Sequence, residues 1–505
     1  MLFRSQFRDF QTVTGGTVGG VVLSREPLGP SSRKTGLVIS EIMYHPKPVP
    51  GLSNSLEFIE IHNSQAFFEE IGNFRLSGDI DYTFPPKTVI PAGGFLVVAR
   101  EPGAVQSYYG LSDVLGPWVG ADTNNLPGSE GTIRLRNEAG AVLLEVNYEG
   151  KSPWPMAADG AGHSLVLARP SYGEGSVKAW DASERIGGSP GQPEPWDADP
   201  LRSVVINEFL ANSTAPQEDY IELYNHSNLE VDLSGAWLTD EADTNKFRIP
   251  NGTKIPARGY RLFTASIGTL GFALSQSGER VYLVNSNQTR VIDAVDFGPQ
   301  ENGVSTGRYP DGSPYWYRLA SLSPAQPNSA LRQEPVVINE IMYAPITGDN
   351  NDEYVELYNR GPVPVDVGGW KLVSGVTFTI PPGRVIPNNS YLVIAKNAAR
   401  LLTNYPNLNL TNTAGNYSGS LANSGERLAL AKPEYIAVTN ALGVVSTNID
   451  YIVVNEVTYS DGGRWGLWSD GGGSSLELKD PNSDNRQPAN WDDSDESSKG
   501  IWTTI

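Results

Sequence analysis

The 505-residue chain has no cysteine, which excludes disulfides, thiol catalysis and cysteine-ligated zinc together. Histidine is nearly as scarce: His45, His62, His163 and His226 are scattered through the first half, so nothing repeated along the whole chain depends on them. Basic residues are in deficit, 37 against 57 acidic, for a formal net charge of −20. Such a surface repels phosphate backbones and anionic lipid, so neither nucleic acid nor membrane insertion is expected. No apolar run approaches the ~18 residues of a spanning helix. The opening stretch, MLFRSQFRDFQTVTGGTVGGVVLSREP, lacks the unbroken apolar core of a signal peptide, and none is visible elsewhere. The last residues, GIWTTI, read as the start of a fresh strand; the chain is either cytoplasmic or, the reading both ends favour, an internal piece of a longer exported protein. Catalytic signatures are missing too: there is no G-x-S-x-G, no H-E-x-x-H and no Walker-type loop. The glycine-rich GGTVGG and DGGGSS have no strand-then-helix context and read as turns. No catalytic residue, no enzyme and no cofactor are expected.

What the chain does have is turn residues, Gly 53 and Pro 37, and one unit written three times. Each copy opens on a β-branched strand: LVISEIMYHP at 37, VVINEFLANS at 204, VVINEIMYAP at 336. A strand with a central glutamate follows: LEFIEIHNSQ (56–65), EDYIELYNHS (218–227), DEYVELYNRG (352–361). Then comes a turn with an aromatic (Phe74, Trp237, Trp370) and a proline-gated strand (TVIPAGGFLVVAR, TKIPARGYRLFTA, RVIPNNSYLVIAK). LSQSGERVYLV and LANSGERLALA follow in copies two and three, with the looser PGSEGTIRLRN in copy one. The closing runs EVNYEG, AVDFGP and EVTYSD each precede an Asp-Gly turn, at Asp159, Asp311 and Asp470. IVVNEVTYS at 452–460 imitates an opening strand, but no glutamate strand follows it, so it is copy three's closing strand.

Short alternating runs with turns every eight to twelve residues predict an all-β fold of packed sandwiches. Only KNAARLLTNYP (396–406) and EPGAVQSYYG (101–110) hint at helix. The expected layout is an N-terminal extension over 1–35, sandwiches over 36–196, 197–331 and 332–490, and the start of a further segment over 491–505. The linkers GGSPGQPEPWDADP and SLSPAQPNSALRQEP are rich in proline and should act as semi-stiff spacers in an elongated array.

The ordered set of VVINE, DEYVELYN, the Trp turn, the IPxxxY strand and the SGER strand resembles the lamin tail domain family. Copies two and three match every element, while copy one departs at SGER and at Phe74. The resemblance implies three tandem immunoglobulin-like β-sandwich domains. It further implies spacer and adhesion or binding modules of a bacterial cell-surface or secreted protein. The alternative it leaves open is an accessory, substrate-targeting region of a larger exported hydrolase or spore-coat kinase-like protein. A eukaryotic nuclear lamin is a poor match, because no heptad rod precedes the domain.

Alternation along the glutamate strand places Tyr220, Glu222 and Tyr224, and likewise Tyr354, Glu356 and Tyr358, on the face opposite the apolar pair. An acid between rings can grip a sugar hydroxyl or a cation, which makes these candidate ligand residues. The plainer reading is that the rings shield a cross-strand polar pair. In the opening strand the same alternation sets Glu41, Glu208 and Glu340 on the apolar face, where an unpaired acid costs several kcal/mol. They are expected to be structural, tying nearby N–H groups, as are Trp237 and Trp370. Their alternative is to pair with Glu60, Glu222 and Glu356 as a cation site or acid pair, although a working hydrolytic pair needs only one copy. Asp480, Asn482 and Asp484 alternate as in a calcium loop but lack the glycine and the closing glutamate, and DEADTN (240–245) is similar. Calcium, if bound, would be structural. Trp154, Trp316, Trp465 and Trp468, with Tyr315 and Tyr317, either plug sandwich ends or hold an extracellular polysaccharide; a cell-surface protein is the other partner class.

Overall fold

The structure is a computed structural model and describes residues 25–49, 55–120, 125–195, 199–264, 270–439 and 445–494. Within them the chain is all-β, and each copy is a sandwich of mainly antiparallel sheets around its own hydrophobic core, with one parallel edge strand each in copies one and three. Copy three shows the plan. One sheet runs in the order Thr413–Gly415, Ser390–Ala395, Tyr354–Asn359, Val336–Met342, Leu476–Leu478, Trp491–Asp493. The other runs Phe378–Thr379, Lys371–Ser374, Gly425–Thr439, Val445–Ser460. The opening strand and the glutamate strand are thus central neighbours, and the SGER strand pairs with the closing strand in the facing sheet. The two short helices are Pro102–Tyr109 and Ala398–Asn404, within the two segments that hinted at helix. Each packs over the outer face of the glutamate-strand sheet, making a second small apolar layer such as Met342, Tyr354, Val393, Ala395 and Leu401.

The parity expected for the opening strand is corrected by one feature. Register with the glutamate strand slips between Ile39 and Glu41, between Ile206 and Glu208, and between Ile338 and Glu340. A β-bulge at Ser40, Asn207 or Asn339 inserts one residue, so alternation restarts with opposite phase. Val336 and Ile338 face the core before the bulge, and Ile341 and Tyr343 face it after. Glu340 therefore turns to the outer face with Met342, out of the apolar interior where a carboxylate would cost several kcal/mol.

Two boundaries also move. Trp491–Asp493 pairs with Leu476–Leu478, and Trp491 is 1% exposed in copy three's core, so copy three continues past 490. At the other end, the Glu26 N–H donates to the Ala168 carbonyl (2.8 Å) and Leu28 packs on copy one's core, which joins 25–35 to that sandwich. The chain divides into two compact units, one holding copies one and two and the other holding copy three. Among the described residues no helix is long and apolar enough to cross a membrane.

Candidate functional site

The bulge brings the two glutamates of each copy directly opposite one another: Glu41 with Glu60, Glu208 with Glu222, Glu340 with Glu356. Like charges opposed across a ladder repel, so each pair requires donors or a proton. In copy two, Tyr220 Oη donates to Glu208 at 2.5 Å and Ser323 Oγ at 2.8 Å. Copy three repeats this with Tyr354 Oη at 2.6 Å and with Ser475 Oγ on Glu340, while Asn339 Nδ2 reaches Glu356 at 3.2 Å. In copy one, Ser164 Oγ donates to Glu41 and Ser40 Oγ to Glu60 at 2.7 Å.

The remaining donors come from the linkers. SPGQP (189–193) and SPAQP (323–327) are the same turn, closed by Gln192 N–H to the Ser189 carbonyl and Gln326 N–H to the Ser323 carbonyl. Proline starts the turn and the next residue takes positive φ, +80° at Gly191 and +59° at Ala325, as a type II turn requires. That geometry aims two backbone N–H groups at the acid pair. Ser189 N–H meets Glu41 at 3.0 Å and Gly191 N–H meets Glu60 at 2.6 Å; Ser323 N–H meets Glu208 at 3.2 Å and Ala325 N–H meets Glu222 at 2.5 Å. The segments expected to act as semi-stiff spacers are strapped to the sandwich they leave. Burial raises Glu60 to about 7 and Glu222 to about 8, and it raises Glu41 well above the carboxylate range with Glu60 adding to the effect. Each of the first two pairs therefore holds a proton near neutral pH. A cavity of about 340 Å³ opens beside copy one's pair, lined among others by Arg25, Glu41, Glu60, His62, Phe95 and Glu194.

The other candidate residues lie apart from one another. Tyr224 stacks on Tyr260 (5.0 Å) and Tyr358 on Tyr391 (4.7 Å), as cross-strand ring pairs beside the acids. Trp370 is in copy three's core, and Trp237 is half-buried under Arg248. Trp154 and Trp465 pack into cores against Trp180 and Trp491, and Trp316 packs on copy two's core beneath Arg308, whereas Trp468 is 67% exposed. The Asp480 carboxylate accepts from the Asn482 N–H at 2.9 Å and Asp484 from the Arg486 N–H at 3.1 Å, which are local turn bonds. Asp240 and Glu241 of DEADTN bind Lys246. Among the described residues no cluster of three acids or histidines is placed to hold a metal.

Two functional groups went unread in the sequence. The asparagine closing each glutamate strand is a clamp. Nδ2 of Asn359 donates to the Val363, Ile386 and Pro387 carbonyls at 2.9, 2.9 and 3.1 Å; Asn225 and Asn63 repeat the three bonds. Its recurrence in HN, YN and YN was the available signal.

The second is the joint between copies one and two. Ala157, Ala161 and Ala182 of copy one pack on Tyr282, Val284, Val291 and Ala294 of copy two. Around this apolar centre Glu184, fully buried, pairs with Arg202 and Arg290 and lies 3.3 Å from Arg25, and Asp159 pairs with Arg280. His163 donates through Nδ1 to the Ser183 carbonyl (2.8 Å) and accepts the Val291 N–H on Nε2 (2.9 Å). Burial, with Arg290 nearby, pushes this imidazole down to about 3, so it is neutral and can accept. The joint went unread because most of its contacts join residues over a hundred positions apart, such as Ala157 with Tyr282 and Glu184 with Arg290.

The Lamin Tail Domain profile matches residues 30–150, 198–299 and 330–483, one segment for each sandwich. The chain belongs to the lamin tail domain family. Lamin tail domains are immunoglobulin-like and non-catalytic, and here three stand in tandem. A search of the curated proteins gave no match. Among solved structures, a DUF4876 family protein from Bacteroides thetaiotaomicron is similar at 9% identity, over 51% of this chain and 78% of that one, with a TM-score of 0.19. An exo-chitosanase, CsxA of Amycolatopsis orientalis, is similar at 12% identity over 48% of this chain and 25% of its own, with a TM-score of 0.12. Superpositions this loose bear on neither fold nor chemistry.

Proposed function

We propose that this tandem lamin-tail-domain array is non-catalytic and serves as spacer and adhesion or binding modules of a bacterial cell-surface or secreted protein. The observation behind this reading is the use made of the repeated acid pairs. In copies one and two they are buried and spent on the chain's own serine, tyrosine and linker N–H groups, holding each linker on its sandwich. Carboxylates so engaged hold a fold together, and a working hydrolytic pair would not be needed in three copies. The partners that suit an acidic, aromatic-edged array are extracellular polysaccharide or a cell-surface protein. Intact producing cells treated with protease and probed with antibody to the chain test the reading. Loss of the chain from intact cells, or its recovery from the medium, is expected. A chain that stays protected until lysis would sink it.

A further inference from the structure

Copies one and three share a motif that copy two lacks, W-x4-D-G-x-G-x-S-L-x-L-x-x-P. It runs from Trp154 through Asp159 and Ser164 to Pro170, and from Trp465 through Asp470 and Ser475 to Pro481. The two segments also fold alike. Gly160 N–H donates to the His45 carbonyl and Gly471 N–H to the Ala344 carbonyl, both at 3.2 Å, and Asp159 and Asp470 form the matching parallel bridges. Trp154 meets Trp180 at 6.4 Å and Trp465 meets Trp491 at 6.3 Å.

In copy one this segment is the docking face of the joint. Met156 and Ala157 sit in its apolar centre, and Asp159 takes Arg280. Lys47 Nζ, alongside, donates to the Ala242 carbonyl at 2.7 Å. The corresponding positions of copy three are Leu467, Trp468, Asp470 and Ile346. All four face solvent, with Leu467 73%, Trp468 67% and Ile346 69% exposed. Gly473 lies beside Ile346 and Gly472 beside Trp468, next to the Asp470 turn. Three large apolar side chains exposed together around an acid are an interaction patch, and tryptophan at its centre is the residue type that dominates such contacts.

We propose that this face of copy three docks another lamin-tail-type sandwich, through a hairpin face of the kind copy two presents to copy one. That partner face carries an arginine for Asp470 and an aromatic–aliphatic surface for Leu467, Trp468 and Ile346, as Arg280, Tyr282, Val284, Val291 and Ala294 do for copy one. The contact is head-to-tail, so it extends an array instead of closing it. The proposal goes beyond the functional reading above and stands whether or not the chain is exported.

The test uses whole chains. Asp159→Lys with Glu184→Lys sets like charges against Arg280, Arg202 and Arg290 and frees copy two's hairpin face. Trp468→Asp in the same chain removes its own copy-three face. This freed chain is mixed with the unaltered chain and followed by sedimentation velocity. A complex of twice the chain mass is expected, lost when the second chain carries Trp468→Asp or Asp470→Lys. A folded freed chain that stays monomeric beside the unaltered one, or that pairs equally well with the Trp468→Asp chain, overturns the proposal. So does an unaltered chain that dimerises alone through Trp468, which would make an identical patch the occupant. If the charge reversal prevents folding, Ala161→Arg opens the joint sterically and is read by the same outcomes.

Discussion

Glu222→Gln isolates the physics of the acid pair. The Glu222 carboxyl is fully buried opposite Glu208, and burial raises it to about 8, against an unfolded value of ~4.3. The folded state thus holds this proton more tightly than the unfolded chain. Its stabilising contribution is complete below the unfolded value and drains away as pH rises toward the folded one. At ~1.4 kcal/mol per pH unit, the loss between pH 5 and pH 8 has a ceiling of about 4 kcal/mol. Glutamine keeps the side-chain size and an acceptor for the Ala325 N–H, and it never ionises. Glu222→Gln and the wild type should therefore match at pH 5. At pH 8 the variant should be the more stable in copy two by ~2–4 kcal/mol. Because a chain of several domains is not expected to unfold as one two-state system, the readout must be local. Native-state hydrogen exchange of core amides such as Ile221 and Leu223, compared between the two proteins at one pH, cancels intrinsic exchange. Protection in the variant at pH 8 should be on the order of 100-fold higher. Equal protection at both pH values, or a weaker variant at pH 8, would show that Glu222 is ionised and structurally used as an anion, refuting the shared-proton account.

Three further outcomes follow from the same geometry. Asn359→Ala strands three carbonyls that Nδ2 now satisfies and should cost copy three ~2–4 kcal/mol in denaturant unfolding; Asn359→Asp should do no better, having acceptors where donors are needed. The joint at His163 should weaken in acid. Its folded value, about 3, lies below the unfolded one, so stability present above ~6.5 is lost as pH falls toward 3, seen as a lower protection factor of the Val291 amide once the intrinsic rate at each pH is divided out, and abolished in His163→Gln. Glu184→Ala leaves Arg202 and Arg290 buried without their carboxylate and should cost ~3–5 kcal/mol, splitting the melting of copies one and two in calorimetry.

Much of the architecture was legible because repetition makes weak signals strong. A single VVINE or ELYN says little, but the same order of strand, turn and proline gate three times over sets the number and kind of sandwiches. The face of Val355 and Leu357 was readable from alternation alone, since nothing interrupts that strand. Alternation misled one strand away, at Glu41, Glu208 and Glu340, because a bulge is a single inserted residue with no composition of its own. The SPxQP turns were visible as letters and misread as spacers, since what makes them straps is the acid pair waiting over a hundred residues upstream.

By itself, then, the sequence determined the all-β class, the three copies and the absence of thiol and histidine chemistry common to them, all properties of local pattern and composition. Tertiary structure alone decided which glutamates meet, which N–H groups cap them, and that copies one and two are welded through Glu184, Asp159 and His163. Those outcomes depend on distances between residues far apart in the chain, and such distances exist only after the sheets have paired and packed.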